Sequence, residues 1–151
     1  VEQLDAILRD GDGPLLLGAT QALLDGYRVL PRKAGPDEVL VRGLWQLLPD
    51  KSRATLWPAS FAFSDELRFH LAVLPEGVPA ATGGGTALTE EAARDYPEGR
   101  YEKHLQIAVE AGDRAALAKL LARRTADEAM RLALYMVAFA LVVAAVLKFL
   151  P

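Results

Sequence analysis

Apolar residues recur at helical spacing near the start of the chain. The spacing of Leu4, Ile7 and Leu8 predicts a helix over residues 1–10, because positions three and four apart lie on one helical face. Pro14 suits the first turn of a second helix, since proline lacks the backbone donor that this turn leaves unused. The first quarter of the chain is therefore predicted to be mainly helical.

Residues 27–73 contain both strand-like alternation and helical spacing of apolar residues. Residues 27–30 are branched and aromatic between glycine and proline, which predicts a strand, and residues 37–48 carry a helical apolar stripe. Aromatic and aliphatic residues alternate over 61–63 and 69–73, which predicts two strands joined as a hairpin. Pro58 cannot donate to a ladder, so the first of these strands is expected at a sheet edge.

The chain ends in a strongly apolar stretch. From Leu132 to Leu147 there are 16 consecutive uncharged residues, and counting past Lys148 to Leu150 gives a stretch of 19. At about 1.5 Å per residue, this length approaches the hydrocarbon core of about 30 Å, so we predict a transmembrane helix. A buried helix in a globular core is the alternative. The residues predicted to lie within the membrane include Leu132, Leu134, Tyr135, Val137, Phe139, Leu141, Val143, Val146 and Leu147.

Basic residues flank this stretch unequally. Arg123, Arg124 and Arg131 precede it, whereas Lys148 alone follows it. The positive-inside rule then predicts a single-pass membrane protein with its body in the cytoplasm and its C-terminus outside.

These elements define the predicted architecture. The fold class is α+β: a small mixed α/β unit of helix, strand, helix, strand and strand, then an α-helical hairpin and one C-terminal transmembrane helix. The predicted parts are the α/β unit at 1–75, a glycine- and proline-rich linker at 76–88, the hairpin at 89–126 and the transmembrane helix at 127–151.

Composition limits the ligands and reactions that the chain is expected to support. The 17 basic and 20 acidic residues give a net charge of −3, which argues against binding nucleic acid. The chain has no cysteine, and its two histidines, His70 and His104, lack metal-binding spacing. The glycine run at 83–85 is not followed by a P-loop lysine. We therefore predict no catalytic residue, no cofactor and no metal, which favours a non-catalytic protein without deciding the question.

Three residues are candidates for an interface. Trp57 precedes the proline of the predicted edge strand, and large aromatic residues often anchor protein contacts. Arg53 and Arg68 lie on either side of it along the chain. We predict that these side chains contact a partner, although a tryptophan more often completes a core.

Residues 44–75 resemble the α/β domain of bacterial GTPase-associated proteins of conflict and signalling systems, and of related planctomycete-type membrane proteins. The resemblance lies in a helix ending in LLP, a following arginine, and two aromatic strands of which the second ends in LP. The matching residues are Leu47, Leu48, Pro49, Arg53, Phe61, Phe63, Ser64, Phe69, Leu74 and Pro75. The resemblance implies an adaptor role beside an NTPase or another effector, and it implies no catalytic residue.

Together these features predict a membrane-anchored accessory or scaffold subunit. Its partners would be the lipid bilayer and other subunits of a membrane complex. The alternative is a fragment or subunit of a membrane-tethered enzyme, or of an NTPase-associated defence or signalling protein, whose active site lies elsewhere.

Overall fold

The computed structural model describes residues 2–81, 85–122, 130 and 134–137. Its elements, in chain order, are α1 (Glu2–Asp10), α2 (Gly13–Leu24), β1 (Arg28–Val29), α3 (Glu38–Leu47), α4 (Asp50–Arg53), β2 (Pro58–Ala59), β3 (Leu71–Ala72), β4 (Ala87–Leu88), α5 (Glu90–Arg94), α6 (Arg100–Glu110) and α7 (Arg114–Leu121). The fold is therefore a mixture of helices with very short strands.

The strands form one parallel sheet in the order β2-β3-β1-β4. Val29 of β1 pairs with Leu71 on one side and with Leu88 on the other. The predicted hairpin between the second and third strands is wrong, because β2 and β3 run in the same direction. Residues 60–70 carry the chain back to the starting end of the sheet, as a parallel connection requires.

Helices cover one face of the sheet. Val29, Leu71 and Leu88 point towards this face and join the larger apolar core. Leu44 and Leu47 of α3 contribute fully buried side chains. The central helix of this layer is α2, which packs against α1, α3, α5 and α6. The stripes of leucine in the sequence are therefore buried between helices and sheet.

Irregular chain covers the opposite face. Leu30, Ala72 and Leu74 form a second, smaller core there. Phe69 and Val78, from the segments before and after β3, pack on it. The two cores follow from strand geometry, because successive residues of a strand point to opposite faces.

The segment predicted as a linker, residues 76–88, ends in β4 and gives the sheet its fourth strand. The following helix, α5, approaches α2 closely at Gly18, where an added Cβ would lie 2.2 Å from the carbonyl oxygen of Ala93. Farther along, α6 and α7 pack against each other, and Gly112 takes a φ of 64° in the turn between them. The chain after the glycine run thus packs on the helices before it.

The predicted transmembrane helix is wrong. No helix in the described part of the chain is both long enough and apolar enough to cross a bilayer. Within the predicted span the structure describes only residues 130 and 134–137. The single-pass localisation and its sidedness, which rested on that span, are contradicted by the same finding.

Among the residues assigned to the membrane, the structure describes Leu134, Tyr135 and Val137, and their side chains are exposed. The others lie outside the described residues: Leu132, Phe139, Leu141, Val143, Val146 and Leu147. The basic residues used to assign sidedness also lie outside them: Arg123, Arg124, Arg131 and Lys148.

Candidate functional site

A groove of about 540 Å³ lies between α1, α2 and α3, at the carboxyl ends of β1 and β4. Lys33, four residues after β1, and Glu90, which opens α5, line its sheet end. Parallel sheets bind ligands outside the carboxyl ends of their strands, and cavities of about 300 to 1,000 Å³ are typical of binding sites. Position and size therefore both mark this groove as the candidate site.

The floor of the groove is apolar. Ile7, Leu16 and Leu40 contribute it from three different helices. Gly43 lets α3 approach the other two helices, because an added Cβ would lie 3.3 Å from Leu16 Cδ2 and 3.4 Å from Ile7 Cγ2. Val39, at the start of α3, also lines the groove, yet its side chain is 82% exposed. An apolar surface thus continues from the floor to the outside of the molecule.

A chain of ion pairs crosses the sheet end of the groove, and we call it the rim ladder: Asp37, Lys33, Glu90, Arg94 and Asp12. Lys33 Nζ lies 2.7 Å from Asp37 Oδ2 and 3.7 Å from Glu90 Oε2. Arg94 Nη2 lies 3.6 Å from Glu90 Oε1, and Arg94 also pairs with Asp12, with Nε 3.1 Å from Asp12 Oδ2. Glu90 therefore lies between two cations, each of which also contacts a helix-capping aspartate.

The same two aspartates close the helix N-termini that face the groove. Asp12 Oδ1 accepts a hydrogen bond from the backbone N–H of Leu15 at 3.2 Å, which caps α2. Asp37 Oδ1 accepts one from the N–H of Leu40 at 2.9 Å, which caps α3. Open helix N-termini bind phosphates, but here a carboxylate of the chain already occupies each one. The groove is therefore poorly suited to a phosphorylated ligand.

Ion pairing also sets the protonation of the rim. The hydrogen bond from Arg94 lowers the pKa of Asp12. Burial alone would raise the pKa of Asp37, but the hydrogen bonds from Lys33 and from the Leu40 amide outweigh it, and the pKa is lowered. The hydrogen bond to Asp37 raises the pKa of Lys33. All three groups are therefore charged at neutral pH.

This protonation pattern argues against proton-transfer chemistry in the groove. A general acid or base works best with a pKa near the operating pH, and both shifted aspartates move away from it. No serine, histidine or tyrosine lines the groove in the described part of the chain. Across residues 2–81, 85–122, 130 and 134–137, no group of three or more His, Asp or Glu residues could hold a metal ion.

A second polar cluster lies on the loop-covered face of the sheet. Arg28 and Asp65 form an ion pair in which both side chains are at most 3% exposed. Arg28 Nε also donates to the carbonyl of Phe69 at 2.9 Å, and Asp65 Oδ2 accepts from the amide of Ala81 at 2.7 Å. Burial alone would raise the pKa of Asp65, but its hydrogen bonds from Arg28 and Ala81 lower it. This pair therefore attaches two covering segments to β1.

The predicted interface residues have different environments. Trp57 lies directly before β2 and is 62% exposed, and its backbone N–H donates to His70 Nδ1. Arg68 is exposed and has a φ of 53°, unusual for a residue other than glycine. Arg53 is half-buried. Its side chain donates to the carbonyl of Gln46, in the last turn of α3, and to that of Leu48, just after the helix. A partner contact at Trp57, Arg53 and Arg68 stays a prediction.

Sequence patterns did not point to the rim ladder. Asp37 caps α3 and Glu90 lies in the first turn of α5, and acidic residues are common at both positions without any ligand. The pair of Asp12 and Arg94 joins residues 82 positions apart, and no local pattern indicates such a contact. Helices that follow parallel strands begin at the same edge of the sheet, so the acidic first turns of such helices lie near one another. This inference requires the strand direction.

Comparisons of the chain with protein-family models, with curated proteins and with solved structures give no match.

Proposed function

We propose that this chain is a non-catalytic recruiting module whose groove holds a basic, amphipathic helical segment of a partner protein. The observation that carries the proposal is the pairing of an apolar floor with an acidic surround. Among the lining residues and Arg94 of the rim ladder, four carboxylates (Asp10, Asp12, Asp37, Glu90) meet three cations (Lys33, Arg42, Arg94), a net charge of −1.

The shape of the site favours a helix over a small molecule. The groove is walled by helices, and its apolar surface extends to the exposed Val39. A helix lying in such a groove places apolar residues three and four positions apart on the floor while its polar face stays in solvent. Basic residues flanking those anchors would meet the excess of carboxylates. The proposed resemblance of residues 44–75 to GTPase-associated proteins is compatible with this adaptor role.

Two labelled model peptides test the proposal. They share one leucine spacing, but one carries lysine and the other glutamate at every polar position, and fluorescence polarisation measures binding to the full chain. We expect the lysine peptide to bind at least tenfold more tightly, because the carboxylates around the groove repel the glutamate peptide. Equal affinities, or tighter binding of the glutamate peptide, would overturn the proposal.

A matched pair of variants locates the binding site. Val39→Gln removes an exposed apolar side chain at the groove, and we expect the affinity for the lysine peptide to fall about tenfold. Ile107→Gln makes the same kind of change on α6, where the side chain is 53% exposed and lies outside the groove lining. This control should leave binding unchanged. If both variants weaken binding equally, the peptide contacts the surface without using the groove.

A small amphiphilic ligand is the competing occupant. A short-chain quaternary ammonium amphiphile matches the apolar floor and the negative charge but lacks the length of a helix. Saturable binding of this compound without binding of either peptide would identify a small-molecule site and overturn the helix proposal.

A further inference from the structure

Two arginines on the loop-covered face of the sheet have donors without acceptors. The Nη1 atoms of Arg28 and Arg32 are buried, and neither has a hydrogen-bond partner among the residues that the structure describes. Arg28 is only 2% exposed as a whole. Buried polar groups are almost always hydrogen-bonded, and a buried charged donor is especially costly to leave without an acceptor. These two atoms therefore call for an acceptor.

The neighbouring carboxylate does not supply it in this structure. Asp65 Oδ1 receives Arg28 Nη2, and Asp65 Oδ2 receives the amide of Ala81. The charge of Arg32 acts on Asp65 as well. Arg28 pairs with this carboxylate, and Arg28, Arg32 and Asp65 together carry a net charge of +1.

Strand geometry places the two arginines on one side of the chain. They are four residues apart, and the extended pairing continues beyond β1, since Arg32 forms a bridge with Leu74. Residues at even spacing along an extended segment point to the same face. Arg32 is half-buried and lies at the carboxyl end of the strand, so this end of the cluster is the one open to solvent.

We propose that Arg28 and Arg32 bind a small oxyanion, a phosphate or carboxylate group, which enters at the carboxyl end of β1. Guanidinium groups present paired donors whose geometry matches both kinds of oxyanion. An anion between them would supply acceptors for both Nη1 atoms and balance the excess positive charge. This site lies on the face of the sheet opposite the helical core and is independent of the groove.

Thermal unfolding of the full chain in matched salts tests the proposal. Inorganic phosphate and acetate are titrated at constant ionic strength against chloride, because a ligand that binds the folded state raises the midpoint in a concentration-dependent way. We expect a saturable rise with at least one oxyanion, and the one giving the larger rise identifies the preferred class. No difference from chloride would overturn the proposal.

Variants separate a specific site from general screening. Arg32→Gln should weaken the apparent anion affinity about tenfold, because one charged hydrogen-bond donor is lost. Arg9→Gln removes an arginine whose side chain is 77% exposed, and it should keep the full rise. Retention of the rise in Arg32→Gln would overturn the proposal. Val39→Gln should also keep it, so failure of the groove proposal and failure of this one are distinguishable.

Discussion

The two faces of this small sheet are covered in different ways. On the helical face, leucines from several helices pack against Val29 and Leu71. On the loop-covered face, three fully buried apolar residues form the core, and the buried pair of Arg28 and Asp65 lies beside them. Apolar packing thus stabilises one face of the sheet, and a buried ion pair contributes to stabilising the other.

Backbone chemistry explains the difference. A helix satisfies its own N–H and C=O groups, so it can bury an apolar stripe without further polar partners. An irregular segment cannot, and its buried backbone groups need other partners. Asp65 accepts the Ala81 amide, and Arg28 donates to the Phe69 carbonyl, so the pair supplies partners to two irregular segments.

The strongest test of this comparison removes the anchor of the loop-covered face. Asp65→Ala leaves the charge of Arg28 buried without a counterion, and we expect unfolding free energy to fall by about 3 to 5 kcal/mol. Urea unfolding followed by circular dichroism measures this change. The double variant Arg28→Met, Asp65→Leu should recover part of the loss, because it removes both charges. A loss below about 1 kcal/mol for Asp65→Ala would show that packing alone holds this face.

The corresponding test on the helical face removes apolar volume. Leu44 is fully buried between α3 and its neighbours, so Leu44→Ala should cost about 2 to 5 kcal/mol in unfolding free energy. Leu67→Ala is the matched control, because Leu67 is 67% exposed, and it should change stability by less than about 0.5 kcal/mol. Similar losses from both substitutions would contradict the assignment of Leu44 to the core.

The helices could be predicted because their signals are local. Pro14 lies in the first turn of α2, as the sequence indicated. Asp113 accepts from two amides at the start of α7, which is also a local contact. Strand direction could not be predicted in this way. The alternation at Phe61 and Phe63 suggested a strand and a hairpin, yet β2 ends at Ala59 and pairs in parallel with β3.

The candidate site was beyond sequence reasoning for a related reason. The groove and its rim ladder combine residues of α1, α2, α3 and α5 with residues of the segments between them. They meet because parallel pairing brings the ends of β1 and β4 together. At the terminal apolar stretch, by contrast, a local signal led to a wrong prediction. Its composition is a local signal of a membrane helix, but no helix in the described ranges has the length and composition to span one.

The rim ladder allows a half-buried ion pair, that of Lys33 and Asp37, to be compared with the buried one. Asp37→Ala removes the cap of α3 and the partner of Lys33, and we expect a loss of about 1 kcal/mol at neutral pH. The pKa of Asp37 in the folded protein lies below its ordinary value of 3.8, so the carboxylate stabilises the fold above that value. This contribution is lost as pH falls through the folded pKa. The difference between wild type and variant should therefore shrink below pH 3.8, and a constant difference would contradict the shift.

The smallest expected change in stability is at Val39, and it concerns function more than folding. The side chain is 82% exposed although it lines the groove, so it stabilises little in the isolated chain. Val39→Gln should alter unfolding free energy by less than about 0.5 kcal/mol, whereas peptide binding falls about tenfold. Urea unfolding and fluorescence polarisation on the same preparation give both values. A large loss of stability would instead assign Val39 to the helical core. Its apolar side chain would then be no evidence for a binding surface.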